Sequence, residues 1–413
     1  MKVLIIGSGA REHALAIAFT RSHRVTEVVV SPGNAGLGQE FKCVTLNSFD
    51  QIATFCHDES IDLVFIGPEI PISEGLSDFL RVIGIPVVAP SQAAARLETS
   101  KAFAKTLMLE NAIPTAEYKL IKDIDQIEES LKGCSYPLVL KADGLAAGKG
   151  VIIVNNYFEA MDACRSLFNQ VCGASGIVAE EYLQGWEASL FVITDGEDYQ
   201  CTLFSQDHKQ LHDLDMGPNT GGMGAICPVP EAEAYREEIE TSIVKPVLQA
   251  MQDQGCPYQG ILYLGLMVTK AGVKVIEFNC RLGDPETQAL LPLLKTDMIE
   301  ICEAILKHRV KDLVLDWEDQ LCIAVVMAAS GYPGEYQKGL PIYIPELSSQ
   351  VYFAGVSRDG EQLLTNGGRV LTVAGKGNDL AQVREAVYHD VNKINFEGRF
   401  FRTDIGLRAN QLS

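Results

Sequence analysis

The sequence predicts an α/β protein: a parallel sheet at the N-terminus, then a longer region of mixed strands and helices, then a small α+β unit. Three observations carry this. Short β-branched runs, tight turns and helical stretches alternate over the first hundred residues. A strand–glycine loop–strand unit spans Leu138 to Val154, and the C-terminal stretch carries short strands followed by one helix.

Taken in order, Lys2 to Ile6 is a β-rich run, Gly7 to Gly9 a tight turn, and Arg11 to Phe19 a helical pattern. Val25 to Val30 reads as a second strand, ending at Ser31-Pro32-Gly33-Asn34. Leu63 to Ile66, stopped by Gly67-Pro68, and Val87 to Ala89, stopped by Pro90, are the third and fourth. Such repetition predicts a parallel sheet with crossover helices, and ligands of such sheets gather at the carboxyl ends of the strands. Ser100 to Asn111 is a helix capped by Thr99 or Ser100. Leu138 to Lys141 and Val151 to Val154 flank a glycine-rich loop. Strands are expected at Ile177–Leu183, Ala188–Thr194 and Tyr199–Phe204, and a hairpin from Gly260–Val268 and Val273–Asn279. The terminal unit has strands at Cys322–Ala329, Val351–Val356 and Arg369–Gly375, then a helix over Leu380–Val391.

A chain of 413 residues holds roughly two to four domains. With 47% hydrophobic and 21% charged residues it has a core to build, which excludes a disordered chain. A net charge of −20 excludes nonspecific wrapping of nucleic acid, which needs clustered cations. It leaves room for a small phosphorylated substrate held by a few local cations. The 11 cysteines form no C-x-x-C pair, so they read as reduced structural thiols of a cytosolic protein rather than a zinc knuckle or redox dithiol. The apolar run at the N-terminus is short and ends in glycines, and none approaches the ~20 residues that span a bilayer. The expected location is cytoplasmic.

Gly7-Ser8-Gly9 suggests a dinucleotide loop, but Glu12 occupies the position where that fingerprint needs a third small residue. A phosphate at the helix N-terminus is the surviving expectation there. Ala142 to Gly150 fails as a Walker A loop, because Asp143 replaces its first glycine and Gly150 its hydroxyl residue. Its glycines with Lys141 and Lys149 suit a hairpin that covers a triphosphate. Gln206 to Gly224 is a long polar, glycine-studded segment, and such loops are usually functional. His208 and His212 stand at i,i+4 but lack a third nitrogen or sulfur ligand for zinc. Glu277 and Asn279 alternate onto one face of a strand end, offering hard oxygens suited to Mg²⁺. Arg281 follows, placed to neutralise a transferring phosphoryl group.

Together these segments resemble the ATP-grasp ligases, and within them the glycinamide ribonucleotide synthetase family. The matching residues are Gly9 to Leu15, Ser31 to Gly36, Gly67-Pro68-Glu69, Lys141 to Val151, Gln206 to Lys209, Gly217 to Gly224, Glu277-Phe278-Asn279, the specific run Arg281 to Gln288, and Arg402 to Gly406. The resemblance implies an N-terminal Rossmann-like substrate domain (1–100), a central ATP-grasp domain (101–320, with a smaller lid subdomain over about 113–185) and a C-terminal domain (321–413). It implies a ligase of de novo purine (IMP) biosynthesis that joins glycine to 5-phosphoribosylamine through glycyl phosphate, with ATP as co-substrate and Mg²⁺ or Mn²⁺ as cofactor.

For ATP the resemblance implicates Lys101, Lys141, Gly144, Gly148, Lys149, Gly150, Glu180, Glu181, Leu183 and Glu187; for the metal, Glu277 and Asn279. It gives catalysis to Arg281, Asp207 and Asp213. The glycine and phosphoribosylamine site falls to Gly9, Asn34, Glu69, Pro218, Asn219, Thr220, Gly221 and Asp284. Two positions depart from the family: Trp186 stands where Glu is common, leaving Glu187 as the ribose acid, and Leu214 replaces a frequent glycine. The expected partners are these small molecules alone, with neither nucleic acid nor membrane, for a monomer in transient contact with the amidotransferase that precedes it. The alternatives are another carboxylate–amine ligase of purine synthesis, disfavoured by the Arg281–Gln288 run, and a non-catalytic nucleotide sensor, disfavoured by intact metal and phosphate residues.

Overall fold

The computed structural model describes residues 1–145, 150–170 and 176–407. Five strands, β1 (Lys2–Gly7), β2 (Glu27–Pro32), β3 (Lys42–Cys43), β4 (Leu63–Ile66) and β5 (Val87–Val88), form an all-parallel sheet in the order β3-β2-β1-β4-β5. Parallel strands are covered on both faces, so Val3–Ile6 and Leu63–Ile66 are continuously apolar and buried. The helix α1 (Ala10–Thr20) follows β1. A helix over Phe49–Asp58 adds to the expected elements, started by Ser48, whose hydroxyl accepts from Gln51 N at 3.2 Å.

Two four-stranded sheets follow. One pairs Tyr118–Ile121, Ile177–Glu181, Leu138–Ala142 and Val151–Val154 in that spatial order, and the helix Tyr157–Gln170 shares its core. The expected hairpin is there: Leu138 to Lys141 runs antiparallel to Val151 to Val154. The other is antiparallel, in the order Tyr199–Cys201, Trp186–Asp195, Gln259–Thr269, Gly272–Asn279. The strand expected over Tyr199–Phe204 stops at Cys201, and Ser205 rejoins the same neighbour only through a bridge to Ser189. Its apolar alternation continues across a break in the ladder, which is why the sequence does not betray the break.

A last sheet runs Gln206–Asp207, Gly224–Cys227, Leu321–Ala329, Arg369–Gly377, Gln350–Phe353, with the helix Leu380–Lys393 packed on it. The expected strand Val351–Val356 divides at Gly355, where the backbone crosses so close to Gly367 that a side chain would collide. The edge strand Gln206–Asp207 ties the long polar loop to the C-terminal sheet. No described helix is long and apolar enough to cross a membrane.

Candidate active site

A cavity of about 610 Å³ lies between the two four-stranded sheets, closed by the turns after β4 and by the C-terminal sheet. At one end its wall is apolar: Val139, Ile153, Leu183, Met267 and Ile276. Beside them two cations converge on one carboxylate. Lys141 Nζ is 2.9 Å and Lys105 Nζ 3.2 Å from Glu180 Oε2. Lys105 also donates to Thr115 Oγ1 at 2.7 Å. Burial drives the Lys105 ammonium down to about 8, with Glu180 opposing the drop. Glu180 Oε1 is buried and has no hydrogen-bond partner among the described residues, leaving an acceptor at the apolar end. Glu181 pairs with Lys274 at 2.7 Å. Glu187 also lines the cavity, and burial pushes its carboxyl up although Lys209 opposes.

Lys101 opens the helix Lys101–Glu110, started by Ser100, whose hydroxyl accepts from Phe103 N. Its Nζ donates to Gly144 O at 2.9 Å, tying the helix to the glycine hairpin. Across the cavity stand Glu277, Asn279 and Arg281. Desolvation pushes the Glu277 carboxyl up, but Lys209, Lys141, Lys101 and Arg281 outweigh it and hold the group below its ordinary value. It is a carboxylate at neutral pH.

One side chain organises the neighbouring residues. Glu98 is buried, and its Oε1 accepts from Arg281 Nη2 at 2.9 Å and its Oε2 from Cys280 N at 2.6 Å. The Asn279 amide is satisfied with Nδ2 donating to Glu98 Oε1 at 3.0 Å and Phe278 O at 3.2 Å. Three consecutive residues therefore hang on one carboxylate, and Asn279 Oδ1 is the oxygen not engaged by it. Arg281 Nε reaches Glu69 Oε2 at 3.1 Å, so its guanidinium bridges Glu69 and Glu98.

The remaining wall comes from the polar loop and the C-terminal sheet. Lys209 Nζ lies 3.1 Å from Asp207 Oδ2 and 4.0 Å from Glu277 Oε1. Burial pushes the Asp207 carboxyl up, against Lys209 and with Glu286 adding to the rise. Asn219, Thr220, Gly221 and Asp284 line the same side. Arg369 Nη1 donates to Gly221 O at 2.6 Å and Asp284 O at 2.7 Å, and Gly221 N donates to Tyr332 Oη at 2.9 Å.

The cavity thus gathers Lys101, Lys141, Gly144, Gly150, Glu180, Glu181, Leu183, Glu187, Glu69, Asp207, Asn219, Thr220, Gly221, Glu277, Asn279, Arg281 and Asp284. Gly148 and Lys149 lie outside the described residues. Four expected residues stand apart. Asn34 is engaged structurally: its Nδ2 donates to Ser8 O and Phe353 O, and its Oδ1 accepts from Gly36 N and Leu37 N. Gly9 N donates to Glu12 Oε2 at 2.6 Å, and Arg11 Nε to Glu12 Oε1 at 2.6 Å. Glu12 thus engages the Gly9 N–H ahead of α1, and Gly9 adjoins the cavity wall at Asp284, whose Oδ2 is 3.4 Å from where a Gly9 side chain would begin. Asp213 bonds Thr403, and Pro218 is exposed on the hairpin. Sequence reasoning gave no role to Glu98, Lys105, Lys209, Tyr332 or Arg369. Only Lys209 lay within a quoted motif.

Behind the loop His208 is buried, and its Nδ1 has no partner among the described residues. Burial drives its pKa down to about 4, with the Arg402 charge adding to the effect. The unfolded chain binds the proton first, near 6.5, so this stabilisation is complete above that pH and is lost as pH falls towards 4. The full span is worth about 3 kcal/mol. Urea midpoints are expected to fall between pH 6.5 and 4, and His208→Gln should flatten that slope. An unchanged slope in the variant would remove His208 as its source.

Two sheets enclosing a cavity, one carrying a glycine hairpin, with paired lysines at the apolar end and a carboxylate–amide pair opposite, define an ATP-grasp enzyme. The family models agree: the phosphoribosylglycinamide synthetase N domain matches residues 1–98, its ATP-grasp (A) domain residues 99–287, and its C domain residues 322–408. The chain belongs to the phosphoribosylglycinamide synthetase family. It is 44% identical to a phosphoribosylamine–glycine ligase of Caldanaerobacter subterraneus, covering 98% of this chain and 99% of that one. Against the ligase of the same name from Halalkalibacterium halodurans the identity is 42%, over 99% and 97%. The crystal structure of the phosphoribosylamine–glycine ligase of Thermotoga maritima superposes with a TM-score of 0.85 at 33% identity, covering 98% of this chain and 100% of that one. A biotin carboxylase domain from Hydrogenobacter thermophilus, at 16% identity and a TM-score of 0.72 over 96% and 91%, shares the fold.

Proposed function

We propose that this chain joins glycine to 5-phosphoribosylamine with cleavage of ATP to ADP and phosphate, a step of purine biosynthesis. The observation that carries the mechanism is that one cavity wall gathers four cations, Lys101, Lys141, Lys209 and Arg281, with the Glu277 carboxylate among them. A carboxylate is a poor acyl donor, since its leaving group would be oxide. The glycine carboxylate therefore attacks the γ-phosphate, the γ-phosphate–ADP bond breaks, and glycyl phosphate forms. The amine then attacks its carbonyl carbon and expels phosphate.

The chain's residues divide this work by position. The apolar wall with Glu180 Oε1 as acceptor suits an amino-purine. Lys101 and Lys141 meet the phosphates beside Gly144 and Gly150, and Glu187 takes the ribose hydroxyls. Glu277 Oε1 and Asn279 Oδ1 are hard donors that fit Mg²⁺ or Mn²⁺, with Glu98 holding the amide turned that way. When bound, the ion supplies charge neutralisation to the ATP phosphates. Arg281 steadies the charge of the acyl phosphate. Asp207, raised by burial, accepts the proton lost by the attacking amine. Asp284, Glu69 and the Asn219–Gly221 turn face the two smaller substrates.

Phosphate release from ATP and Mg²⁺ is the test, with glycine and freshly generated phosphoribosylamine supplied together and each omitted in turn. Release that needs both, with glycinamide ribonucleotide seen by mass, is expected. Release with another acid or amine would overturn the substrates. ATP binding without release under any combination would point to a nucleotide sensor.

A further inference from the structure

Arg402-Thr403-Asp404 lies outside the cavity, and so does Asp213, yet they meet each other. Arg402 is fully buried, the largest such side chain among the described residues. Its Nε and Nη2 donate to the two Asp404 oxygens, each at 2.7 Å. Its Nη1 stands 2.9 Å from Asp215 Oδ1 and donates to Gln210 O at 3.1 Å. Asp404 Oδ2 also accepts from Leu214 N at 2.8 Å. Asp213 Oδ1 accepts from Thr403 N at 2.8 Å, and its Oδ2 from the Thr403 hydroxyl. Three consecutive C-terminal residues grip positions 210 to 215.

The grip opposes a local preference. Leu214 (φ 60°, ψ 27°) and Asp215 (φ 53°) are both left-handed, a conformation that residues with side chains resist. Leu214 is 72% exposed, so packing of its side chain does not hold it there. A disfavoured turn persists where its surroundings over-determine it. The gripped turn continues into the cavity. Gln210 pairs with Asn219 across the hairpin, and Lys209 O accepts from both Thr220 N and Thr220 Oγ1 at 2.8 Å. Lys209, Gln210, Asn219, Thr220 and Gly221 are cavity wall.

We propose that Arg402, Asp404 and Asp213 are positioning residues that fix the polar loop so that Lys209, Thr220 and Gly221 meet the acyl-acceptor amine and glycine. This rests on the reading that the loop side of the cavity takes those two substrates. Lys101, Lys141 and Glu180, on the nucleotide side, belong to other elements and bond none of the three. A break in the clasp therefore weakens the smaller substrates and spares ATP. Asp213 acts through the loop, not on the reacting atoms.

The test compares Asp404→Asn and Thr403→Val in the full chain, the second removing one hydroxyl where a change beside the buried arginine unfolds the protein. KM is measured for glycine and for phosphoribosylamine, and ATP affinity by titration with a fluorescent analogue. A rise of about 10-fold or more in KM for either small substrate, with nucleotide affinity unchanged, is expected from a displaced loop. Adding Leu214→Gly to Asp404→Asn should recover part of that loss, because glycine takes the left-handed turn without a side-chain penalty. Unaltered KM values, an equal loss of nucleotide affinity, or a double variant no better than the single would each overturn the proposal. Failure of the ligase assignment shows separately, as wild-type protein with no glycine-dependent phosphate release.

Discussion

Glu277→Ala is expected to lower ligation by on the order of 10³-fold or more while the protein stays folded. Its side chain is 36% exposed and lies on the cavity wall, so truncation opens no void in the core. What disappears is the carboxylate that shares the cavity wall with Lys101, Lys141, Lys209 and Arg281, and with it the main anionic donor proposed for the metal. Two measurements check it: phosphate release under saturating substrates, and binding of Mn²⁺ followed by paramagnetic resonance with ATP present. Near-wild-type turnover would remove Glu277 from the metal site, and unchanged Mn²⁺ affinity would do the same independently of turnover.

Arg281→Lys is expected to lower turnover by on the order of 10²-fold, although the charge is kept. The guanidinium spans two carboxylates, Nε on Glu69 at 3.1 Å and Nη2 on Glu98 at 2.9 Å. An ammonium is a single point and cannot hold both while facing the acyl phosphate. The loss should fall on kcat more than on the KM for ATP, because the nucleotide end of the cavity is built from Lys141, Glu180 and their neighbours. Equal kcat values for variant and wild type would take Arg281 out of the chemistry.

Four of the sheet's five strands were legible because each is an apolar run cut off by glycine or proline at the ligand-binding end; the edge strand Lys42–Cys43 was not, being two residues long with no such stop. Glu277 and Asn279 were legible because strand alternation alone puts them on one face. Glu98 was not: it stands in a four-residue helix and meets Arg281 across 183 positions of sequence. Arg369 reaches Gly221 across 148. Neither lies in a local pattern, and periodicity carries no information about such contacts. Glu12 shows the opposite limit. A helix N-terminus after a glycine turn suggests an anion site, and no sequence pattern shows that the Gly9 N–H there also meets the chain's own Glu12 carboxylate. Asp213 fell within the polar loop and was grouped with the chemistry, whereas its partner, Thr403, comes from the far end of the sequence.

Glu98 has a consequence for inheritance. The N-domain family model ends on Glu98 and the ATP-grasp model begins at the next residue, while the bonds of Glu98 belong to residues 279 to 281. A chimera that takes residues 1–98 from another member imports the carboxylate on which its own asparagine and arginine must hang. A hybrid joined at that point keeps the contact only when the donor carries an acid at position 98, and a donor lacking it is expected to lower ligation while the hybrid folds.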